Sequence, residues 1–257
     1  MFSENVNDAA QAGQNKLNIL KTNPFGYFLA SILAGIYVGL GIILIFSIGA
    51  PFAKLDHPAL KLIMGASFGI ALTLVVFAGS ELFTGNVMYL TFSILRKKVR
   101  FLDLIIVWIV SWVGNVAGSI ALAWIAVSAG SIQQALPFFG RIAVVKMTAT
   151  PWELIGRGLL CNLLVCLALW TAGRVKSEVA KLILIFWCLF AFIGSGYEHS
   201  IANMTLLAIG IFGHSTESIG WNGYFYNLLW VTIGNIGGAV ILAAAYHSIS
   251  KDKIAAK

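Results

Sequence analysis

The chain has 257 residues, of which 59% are hydrophobic and only 11% are charged. Because soluble domains carry about 25% charged residues, this composition excludes a soluble fold and predicts an integral membrane protein. The net charge of +7 does not indicate nucleic-acid binding, since the basic residues stand at the ends of apolar runs, where they set orientation. The three cysteines lie in apolar segments without metal-ligand spacing, so no metal and no cofactor are expected.

The N-terminal segment, residues 1–22, is polar and has a loose amphipathic pattern. It lacks the apolar core of a cleavable signal peptide, so none is predicted. We expect this segment to form a short helix on the cytoplasmic surface of the membrane.

Six apolar stretches follow, and a helix that crosses the hydrocarbon core needs about 20 apolar residues. They are residues 25–49, 62–95, 104–129, 154–173, 182–214 and 222–248. The second and fifth are too long for one straight span and carry polar residues in the middle. We therefore expect each to be a broken helix, with an irregular loop at mid-membrane depth. The sequence predicts one transmembrane domain over residues 1–257, ending in a cytoplasmic tail at 249–257.

The distribution of lysine and arginine predicts the orientation. Six spans place both termini on the same side of the membrane. On that side stand 12 of these residues, and the other side has 5. The positive-inside rule then places both termini in the cytoplasm, and the cluster at residues 96–100 contributes most.

Two pairs of matched motifs indicate an internal duplication. The pattern G-x-E-x-x-x-x-N occurs at residues 79–86 and again 117 residues later, at 196–203. The pattern G-N-x-x-G occurs at residues 114–118 and again 120 residues later, at 234–238. Similar offsets in the same order favour a duplication over chance.

The duplication assigns one repeat to residues 25–129 and the other to residues 154–248. With three spans in each half, the halves must insert in opposite orientations. Inverted repeats with paired broken helices are typical of channels and transporters, whose site lies near the bilayer midplane.

His199 is the only histidine in the middle of an apolar element. An ionisable side chain within the membrane indicates a functional site, although the ring nitrogens could instead tie down the irregular loop. Thr84 lies in the first break, and its hydroxyl would face His199 if the two breaks meet.

The polar residues in the middle of the second and fifth apolar stretches also include two carboxylates and two amides: Glu81, Glu198, Asn86 and Asn203. The carboxylates could be ion ligands or proton carriers, or they could cap backbone N–H groups at the breaks. The matched positions in the two copies favour a structural role for all four residues.

Large apolar side chains flank the breaks: Phe68, Leu72, Leu82 and Phe192. At a constriction such side chains can control passage by dewetting, but they serve equally well in a core. Lys146 stands on the outer side in a stretch without acids, where it could attract anions or be an ordinary solvated residue. Asn162 accompanies it near the fourth apolar stretch.

The stretches 78–85 and 194–204 resemble the two signature segments of the formate–nitrite transporter family, and the resemblance covers nearly the whole chain. Residues 37–46, 159–162 and 227–231 look closest to its bacterial nitrite channel branch. The resemblance implies an aquaporin-like fold, a homopentamer in the bacterial inner membrane, and one pore through each protomer.

The resemblance also implies roles for individual residues. His199 would be the central pore histidine, with the hydroxyl of Thr84 opposite, and Glu198 and Asn203 would stabilise the loop. The remaining implied pore residues are the hydrophobic constriction and two polar residues near it: Phe68, Leu72, Leu82, Phe192, Lys146 and Asn162.

The implied function is the passage of small monovalent anions of weak acids, with nitrite first and formate or hydrosulfide as alternatives. In such a pore the histidine offers either an N–H to the anion or a proton that makes the neutral acid. The proton route predicts that His199→Asn sharply alters the pH dependence of flux.

Three rival functions explain the sequence less well. A water channel of the aquaporin type would carry Asn-Pro-Ala at both breaks, whereas Asn86 and Asn203 are followed by other residues. A membrane-embedded enzyme could use Glu198 and His199 as a base pair, but no HExxH or GxSxG motif supports it. A scaffold protein would not need two costly polar insertions.

Overall fold

The computed structural model describes residues 2–214 and 219–250, and all regular secondary structure in these ranges is helical. The helices are α1 (Ser3–Thr22), α2 (Pro24–Lys54), α3 (Leu60–Ser67), α4 (Gly69–Leu74), α5 (Phe83–Leu95), α6 (Phe101–Ser128), α7 (Leu136–Thr148), α8 (Pro151–Arg174), α9 (Glu178–Gly194), α10 (Ser200–Phe212) and α11 (Trp221–Ser250). A π-helical turn (Val75–Gly79) follows α4, and a 3-10 turn (Gln133–Ala135) precedes α7. Residues 251–257 of the predicted tail lie outside the described residues.

Five helical runs in the described ranges are long and apolar enough to cross a membrane. They are α2, the run Leu60–Gly79, α6, α8 and α11. The helices α5 and α10 have 13 residues each, which is about 20 Å and too short to cross alone. The chain is therefore an all-helical, multi-pass membrane protein, while the arrangement of six crossings remains a prediction.

Both long apolar stretches are interrupted, as the sequence predicts. The first interruption is residues 80–82, between the π turn and α5, and the second is residues 195–199, between α9 and α10. Ser80, Leu82 and His199 have extended backbone conformations, so the chain leaves the helix completely at both places. Helical hydrogen bonding stops there, and these backbone groups need other partners.

The G-N-x-x-G motifs allow close helix packing. In α6, a methyl group on Gly118 would collide with the carbonyl oxygen of Ile32 in α2, and in α11 one on Gly238 would collide with that of Leu159 in α8. Small residues at such contacts let the backbones of membrane helices touch. The pairs α2 with α6 and α8 with α11 are therefore built in the same way.

Two helices differ from the sequence prediction. The apolar side of α1 does not face lipid: Val6, Ala10 and Leu17 are buried in the protein, and Gly13 lies against Tyr89 of α5. The helix α7 was not predicted, because 13 residues of mixed polarity are too few to signal a span. Both helices bring a lysine to the polar interior described below.

Candidate functional site

Two asparagines fasten the interruptions to the rest of the bundle. At the first, Asn115 of α6 accepts a hydrogen bond from Phe83 N (3.0 Å) and donates to the carbonyls of Ser31 (2.7 Å) and Glu81 (3.0 Å). These bonds satisfy backbone groups in the interruption and at the first residue of α5, and they also tie Asn115 to α2. A single amide therefore replaces several of the helical hydrogen bonds lost at this position.

The second interruption has the same construction. Asn235 of α11 accepts from Ser200 N (2.9 Å) and from its hydroxyl (2.8 Å), and donates to the carbonyls of Gly158 (2.8 Å) and Glu198 (3.0 Å). In addition, Glu198 N donates to the carbonyl of Arg157 (3.3 Å). The asparagines of the two G-N-x-x-G motifs thus make equivalent contacts in the two halves.

The carboxylate of the first interruption is paired. Both oxygens of Glu81 contact Nζ of Lys16, at 3.0 and 2.8 Å. The hydroxyl of Tyr27 also donates to Glu81 (3.1 Å) and in turn accepts from Asn86 (2.9 Å). Glu81 and Asn86 therefore belong to one polar cluster with a lysine that α1 supplies.

The carboxylate of the second interruption is paired more tightly. Both oxygens of Glu198 lie 2.7 Å from Nζ of Lys146, which α7 supplies. Asn203 donates directly to Glu198 (2.6 Å) and to Asn227 (2.8 Å), and Asn227 donates to the carbonyl of Lys146 (2.9 Å). Lys146 is therefore not a solvated loop residue.

His199 and Thr84 meet where the two interruptions come together. Thr84 lies in the first turn of α5, two residues beyond the first interruption, and not in the break itself as the sequence predicted. The imidazole Nε2 lies 3.0 Å from the hydroxyl oxygen of Thr84, and both side chains are buried. The other ring nitrogen, Nδ1, accepts a hydrogen bond from Ala202 N (3.2 Å) and so caps α10. Because a neutral imidazole carries only one proton, this acceptor role assigns the proton to Nε2, which donates to Thr84.

The four predicted constriction residues surround the same place. Phe68, Leu72, Leu82 and Phe192 line a cavity of about 10 Å³ together with His199. The rings of Phe68 and Phe192 meet edge to face, with 5.3 Å between their centroids. The ring of Phe192 stacks on the imidazole of His199, with 6.0 Å between the centroids. A cavity of this size holds about one water molecule. The structure therefore has a narrow slit that is apolar except for the imidazole of His199.

A larger cleft of about 370 Å³ is also lined by Leu82 but not by His199. Leu82 lines both the cleft and the small cavity, so the two spaces adjoin at this side chain. The charged residues of the cleft are Lys16, Lys181 and Glu81. Two ammonium groups against one carboxylate make it an electropositive approach to the slit.

Asn162 stands behind the slit and not among its lining residues. Its amide donates to the carbonyls of Asn235 (2.7 Å) and Thr84 (3.3 Å), while its own oxygen is buried without a hydrogen bond in the described structure. The sulfur of Cys166 also contacts the Thr84 carbonyl (3.7 Å). Asn162 therefore positions Thr84 by holding its backbone.

The sequence prediction missed several residues of this site: Lys16, Tyr27, Asn115, Asn227 and Asn235. A signal existed for Asn115 and Asn235, which are the asparagines of the repeated pattern G-N-x-x-G. Lys16 and Tyr27 gave none, because their partner Glu81 is 65 and 54 residues away. Among the described residues, no group of three histidine, cysteine or acidic side chains could hold a metal ion.

The fold and the site define a class: a multi-pass helical membrane protein with a polar centre held between two interrupted helices. The model of the formate/nitrite transporter family matches residues 3–248. The chain therefore belongs to the formate/nitrite transporter family. Because the members found are transporters and channels, it is a transport protein and not an enzyme.

Individual relatives agree over almost the full length. The nitrite transporter NirC of Escherichia coli strain K12 is 45% identical over 252 residues, which covers 96% of this chain and 91% of the relative. The solved structure of an FNT family ion channel has a TM-score of 0.92 and is 40% identical in sequence. The match covers 98% of this chain and 100% of that channel. A pentameric formate channel with formate bound has a TM-score of 0.79 at 27% identity, covering 89% and 98%.

Proposed function

We propose that the protein is a channel of the bacterial inner membrane for small monovalent anions of weak acids, and that nitrite is its main substrate. The observation that carries the proposal is the buried contact between His199 and Thr84, with His199 lining an otherwise apolar slit. An ion crosses such a slit cheaply only where a polar group replaces its water. Similarity to a nitrite transporter along the whole chain supports nitrite.

The proposed architecture has six crossings in two inverted repeats, with the second and fifth helices broken, on an aquaporin-like plan. The equivalent contacts of Asn115 and Asn235 support the repeats. The excess of basic residues on one side supports cytoplasmic termini. We further propose a homopentamer, since a structural relative that covers most of this chain is pentameric.

The geometry favours hydrogen-bond donation over proton transfer at His199. Loss of the Nε2 proton would leave an imidazolate, which is unstable near neutral pH. A proton added at Nδ1 would remove the acceptor of Ala202 N–H and set two donors against each other. The neutral ring can instead turn its N–H from Thr84 to a passing anion, without a change of charge.

The two lysine–glutamate pairs would act at the entrances. Lys146 marks one side of the slit and Lys16, with Lys181, the other. Each ammonium raises the local concentration of anions, while its glutamate prevents permanent capture by neutralising part of the charge. The loop residues Glu81, Glu198, Asn86 and Asn203 would hold these groups in place.

The proposal is tested by anion flux into liposomes that contain the purified protein. Nitrite, formate, hydrosulfide and chloride would be compared across acidic to neutral pH. We expect nitrite to pass fastest and chloride slowest, because chloride, the base of a strong acid, is the weakest hydrogen-bond acceptor of the four anions. Formate or hydrosulfide passing faster than nitrite would favour the alternative substrates, and an absence of anion flux would contradict the channel function.

Two substitutions at His199 separate hydrogen-bond donation from proton transfer. Asparagine can cap α10 and still offer an N–H, so we expect flux within about tenfold of the unaltered protein and an unchanged pH profile. Leucine offers neither, so we expect a loss of about a hundredfold, which corresponds to about 3 kcal/mol. A flattened pH profile in His199→Asn, with folding intact, would show instead that proton transfer occurs at His199.

A further inference from the structure

A second basic site lies away from the slit, where α1 ends and the chain turns from α5 into α6. A cleft of about 300 Å³ opens at this position. Its charged residues are four cations and one carboxylate: Lys21, Lys97, Lys98, Arg100 and Asp103. The excess of positive charge suits a phosphate-bearing ligand.

The carboxylate is already shared between two of the cations. Asp103 is buried, and its oxygens lie 3.1 Å from Nζ of Lys21 and 2.9 Å from Nε of Arg100. Lys97 forms no ion pair with any residue in the described ranges. The charge of the cleft is therefore not neutralised within this part of the chain.

The backbone at Lys97 does not explain the choice of lysine. The residue closes α5 in the left-handed conformation, with φ of 57°, while Lys97 N donates to Ile94 O (2.9 Å) and Lys98 N donates to Ser93 O (2.8 Å). This turn favours glycine at the left-handed position, and other residues adopt it at a cost. A lysine here keeps an ammonium beside the cleft in spite of that cost. Lys98 donates to a neutral partner, Gln11, at 2.5 Å, and forms no ion pair with the residues that the structure describes.

Exposed apolar side chains adjoin the basic residues. Phe101 and Leu102 follow Arg100 directly, at the start of α6, and are 69% and 64% exposed. Phe25, near the start of α2, is 71% exposed. Both helices are long and apolar enough to span, so these side chains lie where a membrane's acyl chains begin.

We propose that this cleft binds the headgroup of an anionic phospholipid, with its acyl chains against Phe101 and Leu102. A lipid satisfies both the cations and the apolar surface, whereas a free phosphate satisfies only the cations. The site is independent of the slit and of the anion that passes through it. Its ligand is part of the membrane and not a transported substrate.

The test uses native mass spectrometry of the purified protein with added phosphatidylglycerol or phosphatidylcholine. The variant Lys97→Gly/Lys98→Ala removes two charges and eases the turn, so it should fold at least as stably. The control variant Lys54→Ala/Lys61→Ala removes two charges from residues outside the cleft. We expect the unaltered and control proteins to keep phosphatidylglycerol in preference to phosphatidylcholine, and the cleft variant to bind it about thirtyfold more weakly.

Thermal unfolding in detergent supplies a second readout. Phosphatidylglycerol should raise the unfolding temperature of the unaltered and control proteins but not of the cleft variant, and inorganic phosphate should have no such effect. Equal lipid binding by the cleft variant and the unaltered protein would overturn the proposal. So would an equal loss in both variants, no preference for phosphatidylglycerol, or a stabilisation by inorganic phosphate as large as that by the lipid.

Discussion

The glutamates of the two interruptions are buried to different extents. At the first, the side chains of Glu81 and Lys16 are 13% and 18% exposed, and an electropositive cleft reaches them. At the second, the side chain of Glu198 is only 4% exposed against Lys146. The first glutamate reaches its asparagine through the hydroxyl of Tyr27, and the second contacts its asparagine directly.

The difference corresponds to the unequal side chains that the interruptions present. The tighter one positions His199, whose ring must hold a fixed orientation to donate along the slit. The looser one leads into α5, whose first turn carries Thr84. The Thr84 hydroxyl can rotate to suit its partner and needs less support. A duplicated scaffold has thus become asymmetric where its two copies meet.

The largest expected effect comes from removing the anchoring asparagines. Asn235→Ala leaves more buried groups without partners than Asn115→Ala, so we expect losses of about 4 and about 3 kcal/mol in the free energy of unfolding. Thermal unfolding in detergent measures both losses, and the unfolding temperature of Asn235→Ala should fall by about 10 °C or more. Asn222→Ala, an exposed position in α11, is the matched control and should change little. Equal losses in the two anchor variants would remove the proposed difference in rigidity.

At each interruption the lysine variant should lose less stability than the asparagine variant, and again the loss should be larger at the second interruption than at the first. Lys146→Met leaves the buried Glu198 unpaired and should cost about 3 kcal/mol of stability. Lys16→Met leaves the more exposed Glu81 and should cost about 1 kcal/mol. Adding Glu198→Gln to Lys146→Met should restore much of the loss, because no unpaired charge then remains. If the double variant is no more stable than Lys146→Met, burial of the charge is not the cause.

Thr84 should give the smallest change in stability. Thr84→Val removes the partner of the imidazole and should cost about 1 kcal/mol, while Thr84→Ser keeps the hydroxyl and should cost less. Nitrite flux should fall in the valine variant and persist in the serine variant. A serine variant as impaired as the valine variant would mean that the methyl group of Thr84, and not its hydroxyl, is what matters.

The sequence predicts the interruptions and their central pair because both depend on local cost. Polar residues in an apolar run, such as Glu198 and His199, are visible without knowledge of what they contact. The lysines were harder, because Lys146 and Glu198 are 52 residues apart and join only after α7 packs on the bundle. The sequence places Lys146 in a stretch without acids, and the structure shows that its acid comes from the second interruption.

The G-N-x-x-G motifs were recognised as a repeated pattern, but the sequence did not reveal what their asparagines do. Their glycines allow close helix packing, as the contacts of Gly118 and Gly238 show. The asparagine between the glycines seemed incidental, although its amide replaces lost helical hydrogen bonds. No local pattern indicates that function, since Asn115 bonds to Ser31, which is 84 residues earlier.

His199 caps α10 with one ring nitrogen and faces Thr84 with the other. A residue that replaces His199 must therefore meet two requirements: it must cap α10, and it must donate a hydrogen bond into the slit. Aspartate and serine meet the first requirement, but asparagine also carries an amide N–H that can meet the second. Histidine and asparagine codons are separated by a single base, so asparagine is the replacement that we expect lineages of this channel to tolerate.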